Sequence, residues 1–116
     1  MRKVKVAVGG AVEKEAGRRF IDAWHRAERR EKVRERYLTF ESWDTLVRVL
    51  TSKRMELLRY VRHHDVTSVR ALAKALKRDY SNVHADVQTL TEAGLLDTAD
   101  GGLRADYDAI ETRIAI

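Results

Sequence analysis

The chain has 116 residues, 44% of them apolar and 35% charged, with a formal net charge of +5, which is enough apolar content for one cored domain and too little length for two independent ones. It contains no cysteine, which excludes disulfides, thiolate metal sites and thiol redox sensing. No apolar run approaches the ~20 residues of a membrane span, and the basic start MRKVKVAVGG is too short and too alternating for a signal peptide, so a cytoplasmic protein with no membrane partner is expected.

Charge is unevenly spread. Residues 1–62 carry 17 Lys and Arg against 9 Asp and Glu (+8), whereas residues 63–116 carry 6 against 9 (−3). An anionic partner would be drawn to the first half.

Val4, Val6 and Val8 alternate with charged or small residues and are followed by Gly9-Gly10, the pattern of a half-buried strand and a turn. From Glu13 to Glu31, Ala16, Phe20, Ile21, Trp24 and Ala27 fall on one helical stripe. The mixed-charge run RAERREKVRER (26–36) reads first as a solvated helix end and second as a phosphate-binding arm. Arg36 to Phe40 fits a second strand. Ser42 is an N-cap for a helix whose inward face would be Trp43, Leu46, Val47 and Leu50.

Thr51 or Ser52 caps the next helix, with Met55, Leu58 and Val61 spaced for burial and His63-His64-Asp65 at its end. Adjacent histidines point about 100° apart on a helix, and no third ligand has suitable spacing, so neither a metal nor a cofactor is expected. Thr67 or Ser68 caps a short helix carrying Val69, Leu72, Ala73 and Leu76. After Lys77-Arg78, Asp79 caps a helix with Tyr80, Val83, Val87 and Leu90 as its inward stripe, and Gly94 closes that helix in a left-handed cap. Ala99-Asp100-Gly101-Gly102 is a hairpin signal leading to a partner strand at Leu103 to Asp106. The alternation of Ile110, Thr112, Ile114 and Ile116 predicts a last strand.

Three helices and a hairpin in this order make a winged helix-turn-helix. LTSKRMELLRYV (50–61) is similar to the first helix of ArsR-like regulators, and VTSVRALAKAL (66–76) resembles the positioning helix. YSNVHADVQTLTEAGLL (80–96) resembles the recognition helix of ArsR and MarR relatives, with the spacing Ser-x-Val-x-x-x-Val-x-x-Leu-x-x-x-Gly-Leu-Leu. The whole chain looks like short prokaryotic winged helix-turn-helix transcriptional regulators, some of antitoxin type. The turn Lys77-Arg78-Asp79 departs from many such motifs in lacking glycine. ArsR-type metal or thiol sensing does not carry over to a chain without cysteine.

The expected fold class is therefore α+β: residues 1–50 form an N-terminal strand-helix-strand-helix extension serving as a dimer or partner surface, and residues 51–116 form the winged helix-turn-helix. With Val83 inward, a 100° step puts Ser81, Ala85, Gln88 and Glu92 on the opposite face, flanked by Asn82, His84 and Thr89. Asn and Gln match the adenine edge, Ser and Thr bond bases or phosphates, and a small Ala85 permits close approach. The expected base or groove contacts are thus Ser81, Asn82, His84, Ala85, Gln88 and Thr89. Arg70, Lys74, Lys77, Arg78 and Arg104 are the expected phosphate or wing contacts. Glu92 and Asp86 are unfavourable near phosphate. A polar residue on a helix face is ordinarily just solvated, so the reading rests on the motif as a whole.

Two functions compete. One is a sequence-specific regulator, a homodimeric (auto)repressor of double-stranded DNA with residues 79–94 as recognition helix and 97–106 as wing. In it the seam of Phe20 and Trp24, whose plainer role is packing, and the terminal strands would build the dimer surface. The other is a protein-interaction module or antitoxin whose basic first half grips an acidic, toxin-like partner. An enzyme is not expected. GGAVEKEAG lacks dinucleotide or Walker spacing, and His25, the His63-His64 pair and His84 lie on three different expected helices without converging partners.

Overall fold

The structure, a computed structural model, describes residues 2–9 and 36–116. The expected helix over 13–31, with Phe20 and Trp24, and all of the charged run at 26–36 except Arg36 lie outside the described residues. Among the described residues the architecture is α+β, with four helices and two sheets. By contacts the chain forms two compact units, Met1–Arg48 with Tyr107–Ile116, and Val49–Asp106.

The first unit is built on a three-stranded sheet of β1 (Lys3–Val8), β2 (Arg36–Phe40) and β5 (Ala109–Ile114), in the order β2-β1-β5. Both pairings are parallel, with Val6 opposite Leu38 on one side and Thr112 on the other. Parallel neighbours cannot be joined by a tight hairpin and need crossover connections. The crossover from β2 to β5 contains the entire second unit. Residues 107–116, expected as part of the 51–116 winged helix-turn-helix, thus return through β5 to pair with the N-terminal strand.

The alternation in β1 suggests one wet face, but the strand is buried on both. Val4, Val6 and Val8 are buried on one face and Lys5 and Ala7 on the other. This is the environment of a central parallel strand. Lys5 is engaged in an interaction rather than free, as a buried cation must be. At the edge of the same face Lys3 pairs with Glu111 at 3.0 Å.

After β2, Ser42 Oγ accepts the Thr45 amide at 3.3 Å and starts α1 (Trp43–Val49). Of its expected inward residues only Leu46 is fully buried, while Trp43 is 52% and Val47 46% exposed.

The second unit opens with α2 (Ser52–His63), capped by Thr51, whose side chain accepts from the Arg54 amide. Its buried residues are Leu57, Leu58 and Val61. The next helix, α3 (Val69–Leu76), is capped by Ser68, which accepts from the Ala71 amide. The last, α4 (Tyr80–Glu92), is capped by Asp79, which accepts from the Ser81 amide. These are the caps expected of Thr, Ser and Asp, each satisfying a backbone donor left over at a helix start.

Both α3 and α4 stop by the same device. At the end of α4 the Leu95 amide donates to Leu90 O and the Gly94 amide to Thr91 O, with Gly94 at φ 83°. At the end of α3 the Arg78 amide donates to Ala73 O and the Lys77 amide to Lys74 O, with Lys77 at φ 55°. Both are Schellman-type endings, which require one left-handed residue. The missing turn glycine is thus replaced by a lysine in the left-handed region.

A hairpin follows, β3 (Asp97–Ala99) and β4 (Gly102–Arg104), paired antiparallel with Ala99 opposite Gly102. Asp100 and Gly101 both have positive φ, the signature of the type I′ turn that matches strand twist. Val66, between α2 and α3, bridges to Leu103, whose amide donates to Val66 O at 2.9 Å. Together with Leu72, Val83, Leu90, Leu95 and Leu96, Val66 and Leu103 are buried in the core.

Two substitutions test this backbone. A Cβ at Gly102 would lie 2.6 Å from Val66 O, and neither backbone can yield without disturbing the bridge of Val66 to Leu103. Gly102→Ala is expected to lower stability by ~1–3 kcal/mol in urea unfolding, and a wild-type midpoint would refute the close packing. Lys77→Gly relieves a left-handed non-glycine residue and is expected to raise stability by ~0.5–1 kcal/mol; a lower midpoint would contradict the assigned turn geometry.

Candidate nucleic-acid interface

The outward face of α4 is set by what its other side holds. Val83, Val87 and Leu90 are buried, and Ser81, Asn82, His84, Ala85 and Gln88 are exposed, with Thr89 half-buried at the margin. Donor and acceptor side chains therefore lie along one accessible strip of a regular helix, with Ala85 between them as a low point. Arg70, Lys74 and Lys77 are exposed on α3 and the turn that precede this helix, and Arg104 is exposed on β4.

Arg78 departs from its expected role. Its side chain is only 17% exposed, and its Nη2 donates to Asp86 Oδ2 at 2.8 Å. Arg54 from α2 reaches the same carboxylate, Nε to Oδ1 at 3.0 Å, and its Nη1 donates to Val49 O. Asp86 is itself 13% exposed. Arg78 is thus engaged inside the fold, joining the turn to α4, and is not exposed as Arg70, Lys74, Lys77 and Arg104 are. Among the described residues its Nη1 is buried without a hydrogen-bond partner.

Tyr80 departs in the opposite sense. Expected on the inward stripe, it is 41% exposed. The Arg70 guanidinium lies over its ring, 4.9 Å from the centroid, and the His84 ring is 5.8 Å away and tilted by 39°. Two expected contact residues from different helices thus meet around an aromatic ring that periodicity assigned to the core.

Helix geometry contains the signal for Asp86. Three 100° steps from Val83 bring it to within about 60° of the inward direction, so a carboxylate there needs a partner. Which arginines supply it is set by tertiary packing. Tyr80 lies about 60° to the other side, but in the first turn, where a helix leaves its core.

At the far end of α2 the His64 ring stacks on Tyr60 at 4.0 Å, and Nδ1 lies 2.9 Å from Tyr60 O. A carbonyl only accepts, so Nδ1 carries the proton. Among the described residues no group of three or more His, Cys, Asp or Glu side chains is placed to hold a metal ion, and no helix is long and apolar enough to cross a membrane. An open cleft of about 480 Å³ lies between the end of α2 and the hairpin, with His64, Asp65, Thr67, Arg104 and Asp106 in its walls.

Removing the shared carboxylate leaves two largely buried guanidinium groups uncompensated. Asp86→Ala is expected to cost ~3–5 kcal/mol of unfolding free energy, well above the effect of removing an exposed carboxylate. A loss under about 1 kcal/mol, the range of a surface ion pair, would show that the clamp is not formed.

No curated protein and no solved structure matches the chain. The HVO_A0114 family model matches residues 49–112, more than half of the chain, which take in α2, α3, α4 and the hairpin. The chain belongs to the HVO_A0114 family.

Proposed function

We propose that the protein is a winged helix-turn-helix regulator of transcription, a dimeric (auto)repressor that reads duplex DNA in the cytoplasm and catalyses no reaction. In this reading α3 and α4 are the helix-turn-helix, α4 is the recognition helix and the β3–β4 hairpin is the wing. The observation that carries it is the exposed strip of Ser81, Asn82, His84, Ala85 and Gln88 on a helix whose opposite side is fixed by core packing and the Asp86 clamp.

A recognition helix enters the major groove with its first turns, where this strip begins. Asn82 and Gln88 can each make the bidentate amide pairing to adenine, and Ser81 and Thr89 can bond bases or phosphates. Lys74, Lys77, Arg70 and Arg104 are exposed and suit phosphates, which position the protein without reading sequence. One such helix contacts too few bases for specificity, so the active species is a dimer on two half-sites about one helical turn apart.

A second reading, a protein-interaction module or antitoxin with a toxin-like partner, is favoured by one feature of the first unit. Trp43 and Val47 are one helical turn apart and both exposed, and large aromatic residues are enriched in protein interfaces. The same surface would serve a second copy of the chain.

Fluorescence anisotropy with the DNA immediately upstream of the protein's own gene separates the two. The DNA reading expects salt-sensitive binding to that duplex. No such binding, together with co-purification of a neighbouring gene product, would favour the interaction module. Asn82→Ala and Gln88→Ala are each expected to narrow the gap between specific and unrelated duplexes by ~1–3 kcal/mol. Lys74→Ala should weaken both duplexes alike, and equal losses on both for the two amide variants would remove them from base reading.

A further inference from the structure

Tyr80 is the first residue of α4, in the turn where the helix leaves its core, and it is 41% exposed. Its ring is occupied by the Arg70 guanidinium, 4.9 Å from the centroid, with the His84 ring one turn along at 5.8 Å. An exposed arginine loses considerable side-chain freedom when a ligand fixes it, and an aromatic ring beneath the guanidinium removes part of that loss in advance. A guanidinium held through its central carbon keeps its N–H donors for a second, anionic partner.

The start of α4 does not provide an anion site by itself. The Asp79 carboxylate takes the Ser81 amide at 3.1 Å and places negative charge at the positive end of the helix dipole. A phosphate approaching there has to be met by a side-chain cation.

We propose that Tyr80 is a positioning residue for DNA binding: its ring holds Arg70 of α3 beside the start of α4, oriented to bond a backbone phosphate. This rests on the DNA-binding reading above. Tyr80 acts through Arg70 and reads no base, and the property it confers is sequence-independent. The aromatic face is what matters and the phenol oxygen is not, so phenylalanine should serve as well.

The test is a double-mutant cycle on the full-length protein, with binding to a short mixed-sequence duplex followed across a sodium chloride series. Tyr80→Phe is expected to bind like wild type, and Tyr80→Leu to bind roughly two- to fivefold more weakly. Arg70→Ala should flatten the slope of log affinity against log salt by about 0.9, the mark of one lost phosphate contact. Adding Tyr80→Leu to Arg70→Ala should then have no further effect, and urea unfolding of each variant confirms that it is folded. Additive losses in the double variant, wild-type affinity for Tyr80→Leu, or an equal loss in Tyr80→Phe would each overturn the positioning role while leaving DNA binding intact. A wild-type protein without salt-sensitive duplex binding would overturn both.

Discussion

Arg54 from α2 and Arg78 from the turn before α4 converge on the carboxylate of Asp86, and the face that α4 shows to solvent follows from this arrangement. Apolar contacts through Val83, Val87 and Leu90 bring the helix down onto its neighbours, but they are non-directional and tolerate some rotation and sliding. A charged pair at hydrogen-bond distance does not. Withdrawing three charges from water is costly, and one Arg78 donor is left buried without a partner among the described residues, itself a penalty of about 1–3 kcal/mol. An apolar trio of similar volume could match the triad in stability. What the triad adds is register: Asp86 can meet both arginines only when Ser81, Asn82, Ala85 and Gln88 point away.

The turn ahead of α4 serves the same end. Lys77 takes the left-handed conformation that Gly94 takes at the close of α4, at a cost that a glycine would not incur. A lysine there puts an exposed cation at the joint between α3 and α4. Left-handed non-glycine residues are informative where the surroundings impose them, and here the amides of Lys77 and Arg78 are both committed to carbonyls of α3. The Arg78 side chain then anchors the joint from within.

Local chemistry was legible in the sequence. Ser42, Thr51, Ser68 and Asp79 cap where their side chains allow it, the Asp100-Gly101 turn forms where both residues accept positive φ, and β2 spans Arg36–Phe40 as its composition suggests. What was not legible depends on distant partners. Alternation in β1 cannot distinguish a strand with one wet face from a central parallel strand, and Lys5 tipped the reading toward water. The pairing of β5 with β1 joins residues about a hundred positions apart, which no local pattern encodes. In the candidate site, the exposed strip followed from helix geometry alone. The fate of Arg78 did not, because a lone arginine beside a helix start looks the same whether it faces a phosphate or a buried carboxylate. Trp43, Val47 and Tyr80 differ in the other direction: apolar spacing suggests burial, but they sit on short or terminal turns, where the helix has left its core.

Charge bears on how the proposed DNA contact would work. The unit Val49–Asp106 holds nine basic and eight acidic side chains, a net +1, and the remainder holds fourteen and ten, a net +4. Arg54, Arg78 and Asp86 are committed to one another, so the rest of the 49–106 unit has seven charges of each sign and is neutral. Non-specific affinity for DNA comes mainly from neutralised phosphates, and a neutral unit has little of it. Of its exposed cations, Lys53, Arg59, Arg70, Lys74, Lys77 and Arg104, those that meet phosphate in the proposed complex would have to be well placed, so an arginine pre-ordered on Tyr80 would matter more here than on a strongly basic protein. The same balance favours reading over gripping. With weak general attraction, the proposed regulator would discriminate through amide contacts such as those available to Asn82 and Gln88, and its useful affinity would depend on engaging two half-sites at once, where the second contact benefits from the high effective concentration set by the first.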